Sequence, residues 1–258
     1  MARQARMESE TGIYHVMMRG NNREFIFREE VQKQRFMEYL SNEVQSGGVR
    51  LAGWCLMDNH VHLIIQGELP EIVGSLKRIN IRFAMGFNTQ KKRIGHVFQD
   101  RYRSEPIKDD AHLLAVVRYV HNNPVKARMV KTAEVYSWSS YIAYTGHKGL
   151  LDTPLRDLVM GCFNNDGERY LAFHLEADDS EHLEIKEDLE RYRQERAQEI
   201  ISSYFERHGM RELSDMKRST AGVEGLITEL LEKGRLPYRK VAELLEVSYR
   251  QVSEGRRR

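Results

Sequence analysis

The amino-acid sequence predicts an α+β fold, with an antiparallel sheet in its first half and a helical second half. Two observations support this prediction. Strand-like and helix-like segments alternate over the first 145 residues in the order β-α-β-β-α-β, and one more helix follows them. After Gly149 the sequence changes character and becomes polar and helical. A chain of 258 residues is long enough for one large core and a second, smaller unit.

Seven segments of regular periodicity make up the first half. They are, in order, a strand at 12–20, a helix at 29–45, strands at 49–57 and 60–65, a helix at 69–88, a short strand at 105–108 and a helix at 109–124. This order is that of the split βαβ, or ferredoxin-like, fold, whose first and third strands are neighbours in the middle of the sheet. The third strand is therefore expected at the centre.

Apolar spacing and chain-breaking residues identify the first four segments. GIYHVMMRG leaves its strand through a glycine. The helix at 29–45 carries apolar residues three and four positions apart and stops at Gly47 and Gly48, which are typical of a helix C-terminus. Asp58 and Asn59 are expected to join the second and third strands in a tight turn.

The other three segments follow from the same signals. Apolar residues recur at helical intervals from Leu69 to Asn88, and a basic loop, QKKRIGHVFQDRYRS, leads to the short strand. The helix DDAHLLAVVRYVHNNP has acids in its first turn, which favour a helix N-terminus. We expect this helix to end at Pro124, because proline disfavours helical continuation.

Three domains are predicted, at residues 1–148, 149–216 and 217–258. The middle region looks helical, and its segment 176–199 contains ten acids and four bases. In the tail, YRKVAELLEVSYRQVS has the rhythm of a DNA-binding helix-turn-helix with its turn near Glu246. That turn often carries glycine, so an ordinary helical hairpin is the alternative.

Charge is distributed unevenly along the chain. Residues 1–150 contain 22 Lys and Arg against 15 Asp and Glu, whereas residues 151–258 contain 18 against 23. From Lys217 onward bases again exceed acids, by ten to six. A basic front, an acidic middle and a basic tail suggest an anionic partner, such as nucleic acid, that is contacted at two places.

The sequence gives no indication of a membrane or secreted protein. No apolar run approaches the roughly 20 residues of a membrane span, and MARQARMESE is not followed by the apolar core of a signal peptide. Two cysteines, Cys55 and Cys162, are too few for a disulfide framework or a thiolate zinc site. We expect a cytoplasmic protein that has no membrane partner.

Two histidines, His60 and His62, lie in the strand MDNHVHLII. Positions two apart project from the same side of a sheet, so both imidazoles face away from the apolar residues between and after them. Neutral imidazole is a common metal ligand, which makes this a candidate metal-binding pair. Two half-buried histidines with hydrogen-bond partners are the alternative. His15 on the first strand is expected nearby.

The last turn of the helix, RYVHNNP, offers further candidates. Tyr119 and Asn123 are four positions apart and share one helical face. Asn123 can supply an oxygen ligand, and a site of two imidazoles and one amide suits Mg²⁺ or Mn²⁺ better than structural zinc. Tyr119 would present a phenol beside the metal, although a core tyrosine is the alternative. His121 points about 160° away from Asn123 and is the weaker ligand.

Five motifs together resemble the single-tyrosine HUH transposases, and most closely the REP-associated tyrosine transposases of bacteria. They are YHVMMRGNN, CLMDNHVHLII, GHVFQDRYRS, RYVHNNPVKARMV and YSWSSYIAYTG, which occur in this order over about residues 3–146. In that family two histidines flank a hydrophobic residue, as His60 and His62 do here. The family nucleophile is matched by Tyr119 and the third metal ligand by Asn123.

The resemblance implies a metal-dependent single-stranded DNA endonuclease and transposase. Such an enzyme cleaves and rejoins DNA at hairpin sites through a 5′-phosphotyrosine intermediate. The family includes homodimers that share active sites and members that act alone, so a homodimer is one open possibility. His15 and His121 are possible supporting residues around the metal.

Basic and aromatic side chains of the first domain are the candidates for DNA contacts. Phosphate contacts position DNA, and exposed bases stack on aromatic rings. Solvated charges and core packing are the respective alternatives. The candidates are Arg19, Arg23, Lys77, Arg78, Arg82, Arg101, Tyr102, Arg103, Arg118, Lys126 and Arg128, with Phe98 and Trp138 as further stacking candidates.

Two other functions remain open from the sequence. The first is a sequence-specific DNA-binding regulator that uses the tail and has an inactive front domain. The second is a metal-dependent nuclease that uses an activated water and no tyrosine. A covalent protein–DNA adduct distinguishes tyrosine chemistry from both.

Overall fold

The chain divides into two compact units, Met1–Leu183 and Glu184–Arg258. The predicted boundaries, after residues 148 and 216, differ from this division. The structure is a computed structural model that describes residues 7–146, 149–176, 186–210, 213, 215, 220–232 and 236–254. Within the described residues, no helix combines the length and apolar character that crossing a bilayer would require.

The first unit is built on a four-stranded antiparallel sheet. Its elements are β1 (Ile13–Arg19), α1 (Glu30–Gln45), β2 (Arg50–Leu56), β3 (His60–Gln66), α2 (Leu69–Lys91), β4 (Arg103–Pro106), α3 (Asp110–Lys126), α4 (Tyr141–Tyr144), α5 (Thr153–Gly161) and α6 (Gly167–Leu175), with short 3-10 turns at Asn21–Arg23 and Ala133–Val135. The strand order is β2-β3-β1-β4. Because β3 lies antiparallel between β1 and β2, the predicted split βαβ fold is confirmed.

The two faces of the sheet carry different layers. Val61, Leu63 and Ile65 of β3 belong to one core with the apolar faces of α1 and α2. Ile64 points the other way, into a core with α3, α5 and α6. Alternation along a strand places His60 and His62 on that second face, beneath α3. The packing of α5 and α6 in this core explains why the first unit extends past residue 148.

Two element ends differ from the prediction. Strand β4 begins at Arg103, two residues earlier than expected, because it pairs with β1. Helix α3 does not end at Pro124 but continues to Lys126. Proline in the last helical turn removes only one donor, and the Asn123 carbonyl still accepts from Ala127 N at 2.8 Å.

The second unit is helical in its described residues. Its helices are α7 (Lys186–His208), α8 (Thr220–Glu232), α9 (Tyr238–Leu245) and α10 (Tyr249–Glu254). Leu226 of α8, Val241 of α9 and Val252 of α10 share one apolar core. The second unit therefore has a core of its own.

A short turn joins α9 to α10 where the sequence predicts one. Glu246 ends α9 with a φ of 51°, in the left-handed region that favours glycine. Ser248 then begins the next helix, because its hydroxyl accepts from Gln251 N at 3.2 Å while Gln251 Oε1 accepts from Ser248 N at 2.9 Å. DNA binding by this pair of helices stays a prediction.

Candidate active site

Three histidine rings lie side by side on the face of the sheet that α3 covers. His60 and His62 project from β3, and their ring centroids are 4.9 Å apart. His15 projects from the adjacent strand β1, and its Nε2 lies 3.0 Å from His62 Nδ1. The antiparallel register of β1 and β3 also places Arg19 opposite His60.

Hydrogen bonds set the orientation of the two imidazoles. His60 Nδ1 lies 2.7 Å from the amide oxygen of Asn59, which can only accept. His60 Nδ1 therefore carries the hydrogen, and Nε2 keeps its lone pair. Burial, assisted by the positive charge of Arg19, lowers the pKa of His60 to about 4. The ring is neutral near pH 7, as a metal ligand must be.

Helix α3 brings Tyr119 and Asn123 to the same place. The Tyr119 ring centroid lies 5.5 Å from that of His62 and 5.7 Å from that of His15. The Asn123 side chain hydrogen-bonds to His60. The phenol ring, the two imidazoles and the amide thus come together within one chain.

Tyr119 is covered in this conformation. Its side chain is only 1% exposed, and Lys126 Nζ lies 4.8 Å from the centroid of its ring. A phosphate can therefore reach the hydroxyl only after neighbouring side chains move. The cation above the ring is a source of positive charge for a phenoxide.

The donor atoms of this cluster fit a divalent cation. Since Asn59 bonds to His60 Nδ1 and His15 to His62 Nδ1, Nε2 is the atom of each imidazole that would face a metal ion. Across the described ranges, no three His, Cys, Asp or Glu side chains come together as a metal site. A third protein ligand would accordingly be the Asn123 amide, a hard oxygen donor suited to Mg²⁺ or Mn²⁺.

Several predicted basic residues lie around the His60 end of the sheet. Arg19 is buried at the end of β1, and Arg103 faces the imidazole side because it pairs with Met17, a residue on the His15 face of β1. Backbone hydrogen bonds tie the neighbouring segments together, from Gly20 N to Asn59 O at 2.8 Å and from Gln99 N to Arg19 O at 2.9 Å. The segments that carry Arg23 and Arg101 therefore converge on the same end.

Other predicted DNA contacts lie elsewhere. Lys77, Arg78 and Arg82 are exposed on α2, which covers the opposite face of the sheet. Arg78 pairs with Glu43 at 2.7 Å, and this hydrogen-bonded pair lowers the pKa of the Glu43 carboxyl. The structure does not bring these three side chains to the imidazole pair.

The aromatic stacking candidates lie partly within the core. Phe98 and Tyr102 pack against the core formed with α1 and α2, and the Phe98 ring centroid lies 5.7 Å from that of Phe83. Trp138 packs against both cores. Their positions agree with the alternative of core packing.

His121 faces away from the imidazole pair, into a buried polar network. Its Nε2 lies 2.8 Å from Ser140 Oγ, and its Nδ1 lies 3.2 Å from His174 Nε2 and 3.1 Å from the Tyr170 hydroxyl. Arg118 also lies behind α3, where it pairs with Glu176 at 3.1 Å. Of the four residues in this network, the sequence indicated only His121, and Arg118 stays a predicted DNA contact.

No sequence signal indicates His174, because it lies 53 residues from its partner. Asn59 was missed as well, although its position directly before His60 in the motif was a usable signal. A polar side chain beside a metal-binding histidine is a common orienting partner.

The buried histidines predict a loss of stability at mildly acidic pH. Burial lowers the pKa of His174 to about 4 and that of His121 well below its ordinary value. Both therefore gain protons on unfolding, so their contribution to stability is present above about pH 6.5 and falls as the pH falls. Between pH 6.5 and pH 5 the loss for His174 alone is about 2 kcal/mol.

Urea unfolding followed by tryptophan fluorescence measures this effect. Both tryptophans, Trp54 and Trp138, lie in the first unit, so the signal reports its unfolding. His174→Gln should reduce the dependence on pH, since glutamine does not titrate. A free energy of unfolding that is equal at pH 7 and pH 5 in the wild type would contradict the prediction.

Comparison with known proteins finds one matching family model and solved structures that resemble part of the chain. Residues 9–123 match the family model "Transposase IS200 like". A solved REP-associated tyrosine transposase bound to a REP hairpin shares 17% identity, with 59% of this chain and 89% of that chain covered and a TM-score of 0.49. A Deinococcus radiodurans R1 protein assigned as a transposase shares 20% identity over 47% of this chain and 97% of that chain, with a TM-score of 0.33. No curated protein matches the chain in sequence.

The matched residues contain β1, β3 and most of α3, the three elements that carry the histidines and the tyrosine. The resemblance of the sequence motifs to single-tyrosine HUH transposases is thus confirmed by an independent match over the same part of the chain. Residues 9–123, within the first unit, are similar to the IS200-like transposases, and this match supports a DNA transposase.

Proposed function

We propose that the protein is a divalent-metal-dependent endonuclease for single-stranded DNA that cleaves and rejoins hairpin sites through a 5′-phosphotyrosine at Tyr119. One observation carries this proposal. The Tyr119 ring lies 5.5 Å from His62, and Asn123, one helical turn later, hydrogen-bonds to His60. A phenol, two imidazoles and an amide in one place are the parts that this chemistry needs.

In the reaction, the Tyr119 oxygen attacks the scissile phosphorus. An oxygen–phosphorus bond forms to tyrosine, the bond from phosphorus to the 3′-oxygen breaks, and that oxygen takes up a proton to become a free 3′-hydroxyl. A free phenol has a pKa of about 10, so the phenoxide needs support from a nearby positive charge. Lys126, above the ring, supplies one. The same 3′-hydroxyl, or another one, can reverse the step and rejoin the strand.

Mg²⁺ or Mn²⁺ would be held by His60 Nε2, His62 Nε2 and the Asn123 amide oxygen. When bound, the ion acts as a Lewis acid on the scissile phosphate. For His62 Nε2 to be a ligand, Nδ1 must donate its hydrogen to His15 Nε2. His15 and Asn59 therefore serve to fix the two rings in the ligand tautomer.

Single-stranded DNA would lie across the His60 end of the sheet. Arg19 and Arg103 on the strands, with Arg23 and Arg101 on the adjoining loops, would contact its phosphates. Lys77, Arg78 and Arg82 stay predicted DNA contacts, at a distance from the scissile phosphate. The exposed Tyr249, Arg250 and Gln251 of α10 would add contacts to the hairpin duplex.

The test is incubation of the protein with labelled hairpins from the DNA flanking its own coding region, in Mn²⁺ or Mg²⁺. A covalent protein–DNA band on a denaturing gel is expected, with the adduct mapped to the peptide that contains Tyr119. Free 5′-phosphate ends without an adduct would instead identify a nuclease that uses water. Hairpin binding with no cleavage would favour a regulator that acts through α9 and α10.

The arrangement within one chain predicts that inactive variants do not complement each other. We expect a mixture of Tyr119→Phe and His62→Ala proteins to form no adduct beyond that of each variant alone. Each chain would lack one part of its own site, because Tyr119 lies beside His62 of the same chain. Recovery of adduct to about a quarter of the wild-type level, as random mixing of subunits would give, would show that dimers share their active sites.

A further inference from the structure

We propose that α6 is a brace for the nucleophile helix: His174 and Tyr170 hold α3 from behind through His121 and so set the position of Tyr119 and Asn123. The inference deepens the proposed function and rests on it. Helix α6 lies outside the residues that match the transposase family. The helix that forms the brace therefore lies in a part of the chain that the transposase motifs do not cover.

Helix α3 carries two functional faces. Tyr119 and Asn123 face the imidazoles of the sheet, whereas Arg118, His121 and Asn122 face α6 and its surroundings. Asn122 donates from Nδ2 to the His174 carbonyl at 2.8 Å, and the Arg118 guanidinium lies 4.3 Å above the Phe173 ring. The back of α3 is thus attached to α6 at three successive contacts over one helical turn.

The central contact is a chain of hydrogen bonds in which the donor and the acceptor of each bond can be assigned. The Tyr170 carbonyl, 2.9 Å from His174 Nδ1, can only accept, so that nitrogen carries the hydrogen and His174 Nε2 is an acceptor. His121 Nδ1 therefore donates to His174 Nε2, and His121 Nε2 accepts from the Ser140 hydroxyl at 2.8 Å.

Ser140 extends the chain to the sheet. Its hydroxyl oxygen accepts from Trp54 N, in strand β2, at 2.9 Å. Ser140, His121, Tyr170 and His174 are all at most 5% exposed, so water does not compete for these bonds. A continuous set of directed bonds therefore runs from the sheet through α3 to α6.

This geometry makes His174 a positioning residue. It touches neither the imidazole pair nor Tyr119, but it fixes the rotation of α3, and that rotation sets the distance from Tyr119 to His62. A displacement of about 1 Å at a reacting group can cost about 100-fold in rate. We expect the brace to change the rate of the chemical step and the affinity for metal rather than the affinity for DNA.

The experiment compares His174→Leu with His174→Gln in the full chain. Glutamine keeps an acceptor where Nε2 lies, whereas leucine removes it. We expect His174→Leu to lower the single-turnover cleavage rate at saturating hairpin by about 10- to 100-fold and to weaken Mn²⁺ binding, measured by electron paramagnetic resonance, by about tenfold. His174→Gln should stay within about threefold of wild type in both, and hairpin affinity should be unchanged in both variants.

Several outcomes would overturn the brace. Wild-type cleavage and wild-type Mn²⁺ affinity in His174→Leu would show a purely structural role, as would equal losses in the leucine and glutamine variants. If His174→Leu does not fold, Asn122→Asp is tested instead. Asn122 is partly exposed, and aspartate replaces the amide that donates to the His174 carbonyl with a carboxylate, which cannot donate. Cleavage by that variant at the wild-type rate would equally refute the inference.

The two proposals can fail separately. A wild type that binds Mn²⁺ but forms no adduct refutes the tyrosine mechanism, while the Mn²⁺ affinities of the two His174 variants still decide on the brace. A wild type that neither forms an adduct nor binds Mn²⁺ refutes both, because there is then no site for α6 to position.

Discussion

Tyr119→Phe is expected to abolish the covalent protein–DNA adduct, with a loss of at least about 10³-fold in cleavage. Phenylalanine keeps the ring that packs 5.5 Å from His62 and 5.7 Å from His15, and it removes only the hydroxyl. The variant should therefore fold and bind a labelled hairpin with wild-type affinity. The measurement is the fraction of labelled strand that runs with the protein on a denaturing gel.

Tyr141→Phe is the matched control for this experiment. Tyr141 is also a buried tyrosine of the first unit, but it packs against His121 and His174, behind α3. It should form the adduct at close to the wild-type rate. An adduct that persists in Tyr119→Phe would assign the nucleophile to another residue, and loss of hairpin binding in that variant would mean that the ring has a structural role.

The burial of Tyr119 also determines how a substrate could reach its hydroxyl. With 1% of its side chain exposed, the phenol is protected from reagents in solution. The proposed reaction requires contact between the hydroxyl and a phosphate, so a bound substrate would have to shift the surrounding side chains, Lys126 among them. In the proposed mechanism, covering Tyr119 in the absence of DNA would also limit its attack on unintended phosphates.

The sequence was sufficient for the parts of the molecule that depend on local periodicity. The positions of His60 and His62 on one face follow from the twofold alternation of a strand, and the shared face of Tyr119 and Asn123 follows from the helical repeat. The order of the elements then places the histidine strand at the centre of the sheet. For these features the pattern along the chain contains the needed information.

Features that depend on distant packing could not be predicted in this way. Nothing in the sequence indicates that Arg78, which stays a predicted DNA contact, pairs with Glu43 of α1 on the face of the sheet away from the imidazoles. His121 and His174 meet only because α6 folds back onto α3. Pro124 looked like a helix end, yet its position in the last turn costs a single hydrogen bond and leaves α3 intact to Lys126.

The second large effect is expected at the imidazole pair. His62→Ala removes one of two imidazole donors and also leaves His15 Nε2 without its partner at 3.0 Å. We expect cleavage to fall by at least about 10³-fold and Mn²⁺ binding to fall below detection, because two imidazoles and one amide leave little redundancy in the ligand set. His60→Ala should behave in the same way, and chelation of the metal with EDTA should reproduce both variants until Mn²⁺ or Mg²⁺ is restored.

Three further variants show whether these losses come from metal ligation or from damage to the fold. His112→Ala removes an imidazole from the first turn of α3. His112 Nε2 lies 3.9 Å from Glu105 Oε1, and this variant should retain cleavage and Mn²⁺ binding.

Asn123→Asp keeps an oxygen ligand and should bind Mn²⁺ at least as tightly as wild type, whereas Asn123→Ala should bind it about 10- to 100-fold more weakly. If His62→Ala binds Mn²⁺ normally but loses cleavage, His62 acts on the phosphate directly and the ion is held elsewhere. If Asn123→Ala keeps both, the third ligand is not the amide, and the site that α3 and the sheet form together serves only to place the phenol.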